Sequence, residues 1–501
     1  MILSKANLNL INKGNVIVPQ DSAFELPEKV LQFGTGVLLR GLPDYFIDKA
    51  NREGVFNGRV VVVKSTSGAT AEFDEQDSLY TLCIRGIANG QPVSQNIISS
   101  AISRVISANE DWNAILEIAQ SPDLKIIVSN TTEVGIQLVS ESIDQNPPVS
   151  FPAKVLAVLY KRFKTLGATA SGLVIIATEL IPDNGKKLGA IVLELAKYNK
   201  LEAEFILWLQ EENKFCNSLV DRIVPGKPEA ATLAKLQDEL GYTDNLLSMS
   251  EPYSLWAIEG DEKVAEVLTF AKVDEGVVIA QDIEIYRELK VRLLNGTHTL
   301  TSGIAFLSGI DLVKNAMTNE QIKNYIDTVM ATEIAPAIPY QVTEAQTTAF
   351  ASTVKDRFAN PSIAHLWLNI TFQYTMKMKI RILPLLTNHY KIFNSIPEHI
   401  AFGFAAYLTF MKVVSEKDGK YYGSYNGIDY LITDDSAGYF NDILSSNSAN
   451  YPSAVLGDAD FWKVDLNLLP GFTQAVNEKY EAIAQNGIAE ALVELNTSKV
   501  I

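Results

Sequence analysis

Cysteine is almost missing from this chain: Cys83 and Cys216 are the only two in 501 residues. No Cys-x-x-Cys pair occurs, and there are only four histidines. The spacings that hold structural zinc or a disulfide framework are therefore absent, and both cysteines read as small buried hydrophobes. Positive charge is scarce as well. Forty-two Lys and Arg face 59 Asp and Glu, a formal net charge of −17, the reverse of the basic footprint a general nucleic-acid binder needs. No apolar run approaches the roughly 20 residues that span a bilayer. Met1–Leu10 lacks the sustained apolar core of a secretory signal. Nor is there a repeat with a period of 20–50 residues. These absences lead us to expect a soluble, cytoplasmic protein that binds neither nucleic acid nor membrane and holds no metal. An anionic small molecule stays possible, because a local basic pocket can sit in an acidic protein.

What is present is length and periodicity. The chain is long enough for about two to four domains. In the first half, short β-branched runs alternate with helical stretches. Lys29–Phe33, Arg59–Lys64, Leu124–Ser129 and Leu173–Ala177 predict strands. Helices are expected over Leu38–Asn51, Pro152–Thr165 and Lys186–Tyr198. That alternation predicts a parallel sheet covered on both faces. From about Ile285 strand-like runs become scarce. Helical periodicity takes over through Glu320–Ile334, Ala401–Val414, Asp435–Leu444 and Gly471–Leu495. The expected architecture is an α/β Rossmann-like domain over 1–285 and a mainly α-helical domain over 286–501. The change of character falls near Gln281–Glu288.

Gly34-Thr35-Gly36 follows the first strand, after Phe33, and precedes a helix, the setting a dinucleotide-binding turn requires. The first glycine permits the tight turn. The second lets backbone approach a pyrophosphate at the helix N-terminus. The third glycine of the usual pattern is absent: Leu39 holds its place, and the next glycine is Gly41. A plain β-to-α turn would have the same sequence. The second strand ends at Lys64-Ser65-Thr66, where NAD sites usually place Asp or Glu. Lys64 could instead meet a 2′-phosphate or point to solvent, so the residues leave NAD and NADP both open.

Just past the change of character stands Lys290-x4-Asn295-x2-His298. At about 100° per residue on an α-helix, Asn295 lies roughly 140° and His298 roughly 80° from Lys290. All three can look into one cleft, and clefts tend to form at domain boundaries. A lysine does acid/base work near neutral pH only where burial or a nearby cation lowers its pKa. A solvated lysine, a polar turn and a core histidine would fit the same spacing. Further on, Lys377, Lys379 and Arg381 alternate, which on an extended segment puts them on one face, whereas a helix would split them.

Several segments, in order, resemble the mannitol dehydrogenase family of polyol-specific long-chain dehydrogenases. They are Gln32–Gly36 with Leu39-Arg40, Asp77–Thr81, Val128–Ile136, Phe215–Pro225, Lys290-x4-Asn295-x2-His298, Arg357–Pro361 and Lys377–Pro384. The Ser129–Glu133 loop and Thr178–Gly185 are similar to the uronate-reducing branch. In the mannitol branch a Cys-Asp-Asn stretch supplies a second amide to the substrate oxygen. Aligned on Pro182, that asparagine falls at Leu180 here, which leaves Asn295 alone or with a substitute the pattern does not name.

The resemblance implies metal-independent hydride transfer between a nicotinamide and a secondary alcohol or ketone. Protonated Lys290 would donate to the carbonyl oxygen, Asn295 would hydrogen-bond it, and His298 would hold substrate or lysine in register. Oxidation would need neutral Lys290 and favour alkaline pH. Phe33, Gly34, Thr35, Gly36, Lys64, Thr131 and Thr132 would line NAD, with NADP not excluded. Asp221 would face the substrate or pair with Arg222. A carboxylate on the substrate calls for paired cations, and Lys377 and Arg381, with His365 twelve residues earlier, are the candidates. Arg357 would fix the helical domain or touch ligand. His389 and His399 read as surface or packing histidines. Three functional readings remain: reduction of a keto-sugar acid in hexuronate breakdown, a fructuronate/mannonate or mannitol-type dehydrogenase, and a non-catalytic dinucleotide sensor. The intact Lys/Asn/His set argues against the sensor. Oligomeric state is not legible.

Overall fold

A computed structural model describes residues 1–65, 70–132 and 134–497. Thr66 and Glu133, which close two of the quoted segments, lie outside them. The chain divides into two units. One comprises Met1–Gly86 and Pro92–Ile283; the other comprises Ile87–Gln91 and Glu284–Ile501.

The first unit is built on a six-stranded parallel sheet. In spatial order its strands are Ile102–Ser107, Arg59–Lys64, Glu28–Phe33, Ile126–Ser129, Val174–Ala177 and Lys214–Cys216. Numbered along the chain, that is the 3-2-1-4-5-6 order of a Rossmann fold. The order reverses between Glu28–Phe33 and Ile126–Ser129. The pleat sends alternate residues to opposite faces. Leu31, Phe33, Val61, Val63, Ile127 and Ile175 join the core that includes helices Phe151–Leu166 and Asn184–Tyr198. Val30, Val60, Val62, Ile126, Val128 and Ile176 join the core on the other face, with Phe46 and Ile47 of helix Pro43–Arg52. The four predicted strands and the two-sided cover are present.

The single helix expected over Leu38–Asn51 is two helices, Val37–Gly41 and Pro43–Arg52. Between them Leu42 sits at φ −134°, ψ −78°. Pro43 has no N–H to donate into a continuing helix, but its fixed φ suits a first helical position. A smaller sheet of Ser218–Asp221, Leu255–Glu259 and Val277–Ala280 carries Asp221 opposite Leu255. Cys83 and Cys216 are buried free thiols, each pushed up to about 12 by burial.

The second unit is mainly helical. Its centre is Thr297–Leu307, packed on Glu398–Phe410, which packs in turn on Phe472–Asn486. The first two are buried nearly all round, as helices enclosed by other helices must be. The expected helix Gly471–Leu495 is broken at Gly487, whose φ of +83° ends Phe472–Asn486 before Ile488–Thr497 begins. Strands do occur, contrary to their scarcity in the sequence reading. Ser415–Lys417, Lys420–Tyr425 and Ile428–Leu431 form an antiparallel meander. Its turns are Asp418-Gly419 and Asn426-Gly427, all four residues at positive φ.

Three stretches of this unit are wider than an α-helix: Lys290–Gly296, Val329–Ile334 and Met378–Ile382 are π-helical. Such turns, closed by i→i+5 hydrogen bonds, are rare and concentrate at functional sites. Proline follows two of them closely, Pro336 and Pro384.

Candidate active site

In the first unit, the glycine turn sits at the carboxyl end of the sheet beside the point where strand order reverses, where open α/β sheets bind ligands. Gly34 adopts φ +132°, and a Cβ there would meet Leu39 Cδ1 at 3.0 Å and the Asn130 carbonyl oxygen at 3.1 Å. Only glycine fits. Gly36 is exposed, and a Cβ on it would have no neighbour within 4 Å among the described residues, so its backbone is open to close approach. Gly41 is packed so tightly that a Cβ would come within 2.8 Å of Val224. It supplies the close helix packing for which the missing third glycine is used. Thr35 is half-buried in the turn. The Phe33 side chain is core, edge-on to Phe151 at 5.2 Å. Its carbonyl accepts from Asn130 N, so its ring and its carbonyl oxygen are both engaged within the protein.

Two residues to which the sequence reading gave no role brace the backbone here, one at this turn and one at the neighbouring loop. Gln32 is fully buried, and its Nε2 donates to the Gly34 carbonyl at 3.4 Å and to Asp44 Oδ2 at 3.2 Å. Burial pushes the Asp44 carboxyl up to about 7, against the pull of Gln32 and Arg40. Glu179 is the other brace. Its Oε1 accepts from Thr131 N at 2.8 Å and Thr131 Oγ1 at 2.9 Å, and its Oε2 from Ser129 Oγ at 3.1 Å. The loop after Ile126–Ser129 is thereby laced to the end of the neighbouring strand. Thr131 has its hydroxyl turned toward Glu179, while Thr132 is exposed. Leu180, where the second amide of the mannitol branch would fall, is 63% exposed. Lys64 ends its strand half-buried. Asp221 is buried. Its neighbour Arg222 donates to the carbonyls of Gly41 at 2.7 Å and Glu251 at 3.0 Å, with its guanidinium 4.4 Å from the Tyr45 ring.

In the second unit, the π turn changes the geometry expected of Lys290 and Asn295. Where residues five apart are hydrogen-bonded neighbours, positions 290 and 295 lie closer in angle than on an α-helix. The 140° offset of an α-helix does not apply. Asn295 lies half-buried, its carbonyl accepting from Thr299 Oγ1 at 2.7 Å and Arg381 Nη1 at 3.4 Å. The turn passes directly into Thr297–Leu307, which carries His298.

His298 stands among rings and cations. It stacks on Phe358 at 4.2 Å and meets His365 edge-on at 5.3 Å and Trp367 at 5.8 Å. Its pKa is held well below the usual histidine value by burial first, then by His365, Arg357, Arg381 and Lys377. His298 is therefore neutral at pH 7, and its buried Nε2 has no hydrogen-bond partner among the described residues. His365 is lowered too, by burial and by Lys377.

The segment of alternating cations is helical, not extended. Tyr374–Lys377 runs into the π turn Met378–Ile382. Lys379 is split off, its Nζ 3.5 Å from the Phe461 ring centre. Lys377 and Arg381, four apart, remain together. Lys377 Nζ donates to the Ile370 carbonyl at 2.7 Å, and burial and Arg381 bring its pKa down to about 8. Arg381 donates to Thr299 Oγ1 at 3.1 Å, and burial lowers it to about 10. Arg357 is buried in the last turn of Glu344–Phe358. His389 and His399 are packing residues: His389 Nε2 meets the Ser395 carbonyl, and His399 Nδ1 meets Glu333 Oε1 at 2.8 Å. Among the described residues no cluster of His, Cys, Asp and Glu could hold a metal ion, and no helix is long and apolar enough to cross a membrane.

Comparison with known proteins completes the picture. The mannitol dehydrogenase Rossmann domain model matches residues 28–272, and the mannitol dehydrogenase C-terminal domain model matches 282–484. Altronate oxidoreductase of Halalkalibacterium halodurans is 37% identical over 98% of this chain and 97% of its own. That of Bacillus subtilis is 36% identical over 94% and 96%. Among solved structures, Pseudomonas fluorescens mannitol 2-dehydrogenase, in ternary complex with NAD and D-mannitol, aligns over 99% of both chains. Its TM-score is 0.68 at 23% identity. D-sorbitol dehydrogenase in substrate-free form aligns over 98% of this chain and 100% of its own, with TM-score 0.77 at 19% identity. The resemblance carried by the short segments is thus borne out over the whole length, and the chain belongs to the mannitol dehydrogenase family.

Proposed function

We propose that this protein is an NAD-dependent oxidoreductase that reduces D-tagaturonate to D-altronate, reversibly and without a metal, in the cytoplasmic breakdown of hexuronates. The carrying observation is the neutral His298 ringed by Arg357, Lys377, Arg381 and His365. Three cationic side chains, Arg357, Lys377 and Arg381, around one uncharged ring suit a substrate that brings its own negative charge. A neutral polyol would leave them uncompensated. The names of the altronate oxidoreductases at 36–37% identity point the same way.

The first unit fits a dinucleotide. The forced turn at Gly34 and the open backbone of Gly36 offer the approach a pyrophosphate needs. Gly34, Thr35 and Gly36 would hold it, with the Phe33 backbone beneath, Thr131 and Thr132 at the neighbouring loop, and Lys64 at the end of the second strand. When bound, NADH supplies the hydride that reduces the ketone.

The remaining chemistry belongs to the chain. Protonated Lys290 gives its proton to the carbonyl oxygen as negative charge gathers there. Asn295, on the same π turn, hydrogen-bonds that oxygen. Preorganised donors of this kind are typically worth about 3–4 kcal/mol. His298, neutral and with a free Nε2, accepts a substrate hydroxyl and orients it. Lys377 and Arg381 take the carboxylate, with His365 beside them, and Asp221 receives a hydroxyl. In the oxidising direction Lys290 takes the proton back from the alcohol.

NADH consumption with D-tagaturonate, D-fructuronate and D-fructose, repeated with NADPH, tests the assignment. We expect turnover with tagaturonate to exceed the other two and NADH to outperform NADPH. Preference for fructose would overturn the carboxylate role, and preference for fructuronate the stereochemical one.

A further inference from the structure

Five of the proposed site residues sit on or beside two π turns, and the cause of one turn is written in the sequence. Pro384 has no N–H, and its ring crowds the carbonyl four residues back, that of Ile380. The helix widens, and the Leu383 N–H reaches Met378 O, five residues back. The displaced carbonyls find a donor outside their own helix. Arg292 Nη1 donates to Ile380 O at 2.7 Å and to Arg381 O at 2.9 Å.

Arg292 is part of the other π turn, two residues after Lys290 and three before Asn295. Its remaining donors go to Glu288, Nε to Oε2 at 2.9 Å and Nη2 to Oε1 at 3.1 Å. The guanidinium is buried, and so in large part is its carboxylate partner. These bonds use both edges of the planar fork, a geometry a lysine cannot copy. All of them end on protein acceptors, so Arg292 acts through other residues rather than on the substrate.

We propose that Arg292 is a positioning residue for the reaction: it locks the Lys290–Gly296 turn to the Met378–Ile382 turn and so fixes the proton donor and amide relative to the cations that hold the carboxylate. The inference rests on the roles proposed above for Lys290, Asn295, Lys377 and Arg381. A misplacement of about 1 Å away from the chemistry can cost on the order of 100-fold in rate, and a loss of that size is expected here.

The test compares Arg292→Ala and Arg292→Lys with the unmodified protein. The substrate is whichever of D-tagaturonate, D-fructuronate and D-fructose the unmodified protein reduces fastest, so a failed tagaturonate assignment leaves the test standing. For Arg292→Ala we expect kcat/KM to fall about 100-fold with NADH affinity within about twofold of native. Added guanidinium should recover at least about tenfold, and methylammonium should not. Arg292→Lys should stay low while melting near the native temperature. Should Arg292→Ala not fold, the lysine variant carries the test: low activity in a folded protein supports the proposal. Native activity in either variant overturns it, as does a loss in folded Arg292→Ala that guanidinium leaves untouched.

Discussion

The two units solve the placement of functional groups in opposite ways. In the first, backbone is the instrument. Gly34 is forced by its φ and by the nearby Asn130 carbonyl, Gly36 is left open, and the side chains around them (Gln32, Asp44, Glu179) are buried braces. In the second, side chains are the instrument, and the backbone gives up regular α-helix to aim them. Lys290 and Asn295 lie on a widened turn that lessens the angle between them, and Lys377 and Arg381 stay together while Lys379 is sent to Phe461. A ligand met mainly by backbone tolerates many side chains nearby. A ligand met by charges does not.

The sharpest way to break that contrast is Lys290→Ala. Loss of a positioned acid typically costs 10²- to 10⁴-fold, so we expect kcat to drop at least about 100-fold while NADH affinity holds. Stopped-flow turnover beside fluorescence titration of NADH checks it, and near-native turnover would remove Lys290 from the chemistry. Next in size is a pair of glycine variants. Gly36→Ala, with open space for its Cβ, should fold with native stability yet raise the KM for NADH about tenfold by holding the phosphates off the backbone. That is about 1.4 kcal/mol of binding. Gly34→Ala should instead lower the melting temperature, since forcing an L residue into that conformation costs about 1–3 kcal/mol. Equal behaviour of the two would erase the distinction between the turn's strained and open positions.

The smallest expected effect is one of pH. Lys377 is protonated below about 8 and neutral above it, so its attraction for a carboxylate is present at pH 7 and fades as pH rises through 8. The KM for a sugar acid should rise severalfold between about pH 7 and 9, and the KM for a neutral ketose should not. A flat profile for both would take Lys377 out of the carboxylate site.

The ease of reading the two halves follows the same division. The sheet was legible because runs such as Arg59–Lys64 alternate into two cores and because glycine turns announce themselves. The break at Leu42 could have been read from Pro43. The meander of 415–431 also had its signal, in Asp418-Gly419 and Asn426-Gly427, the dipeptides that favour tight hairpins. It was masked by the helical periodicity on either side. The Lys/Asn/His set was singled out by spacing on an α-helix, whereas Lys290–Gly296 is a π turn, which leaves no mark in apolar periodicity. Pro384 and Pro336 are the nearest thing to one. Glu179 and Asp44 escaped notice for a different reason. A carboxylate that braces a loop looks, in sequence, like any surface acid, and only burial distinguishes it.

The claim on which the account depends is that the cations of the second unit recognise a negative substrate. The direct measurement is kcat/KM for D-tagaturonate and for D-fructose in the native protein and in Arg381→Met. A charge-assisted hydrogen bond contributes about 1.5–3 kcal/mol, so we predict a loss of about 10- to 100-fold for tagaturonate and little change for fructose. An equal loss on both would contradict it.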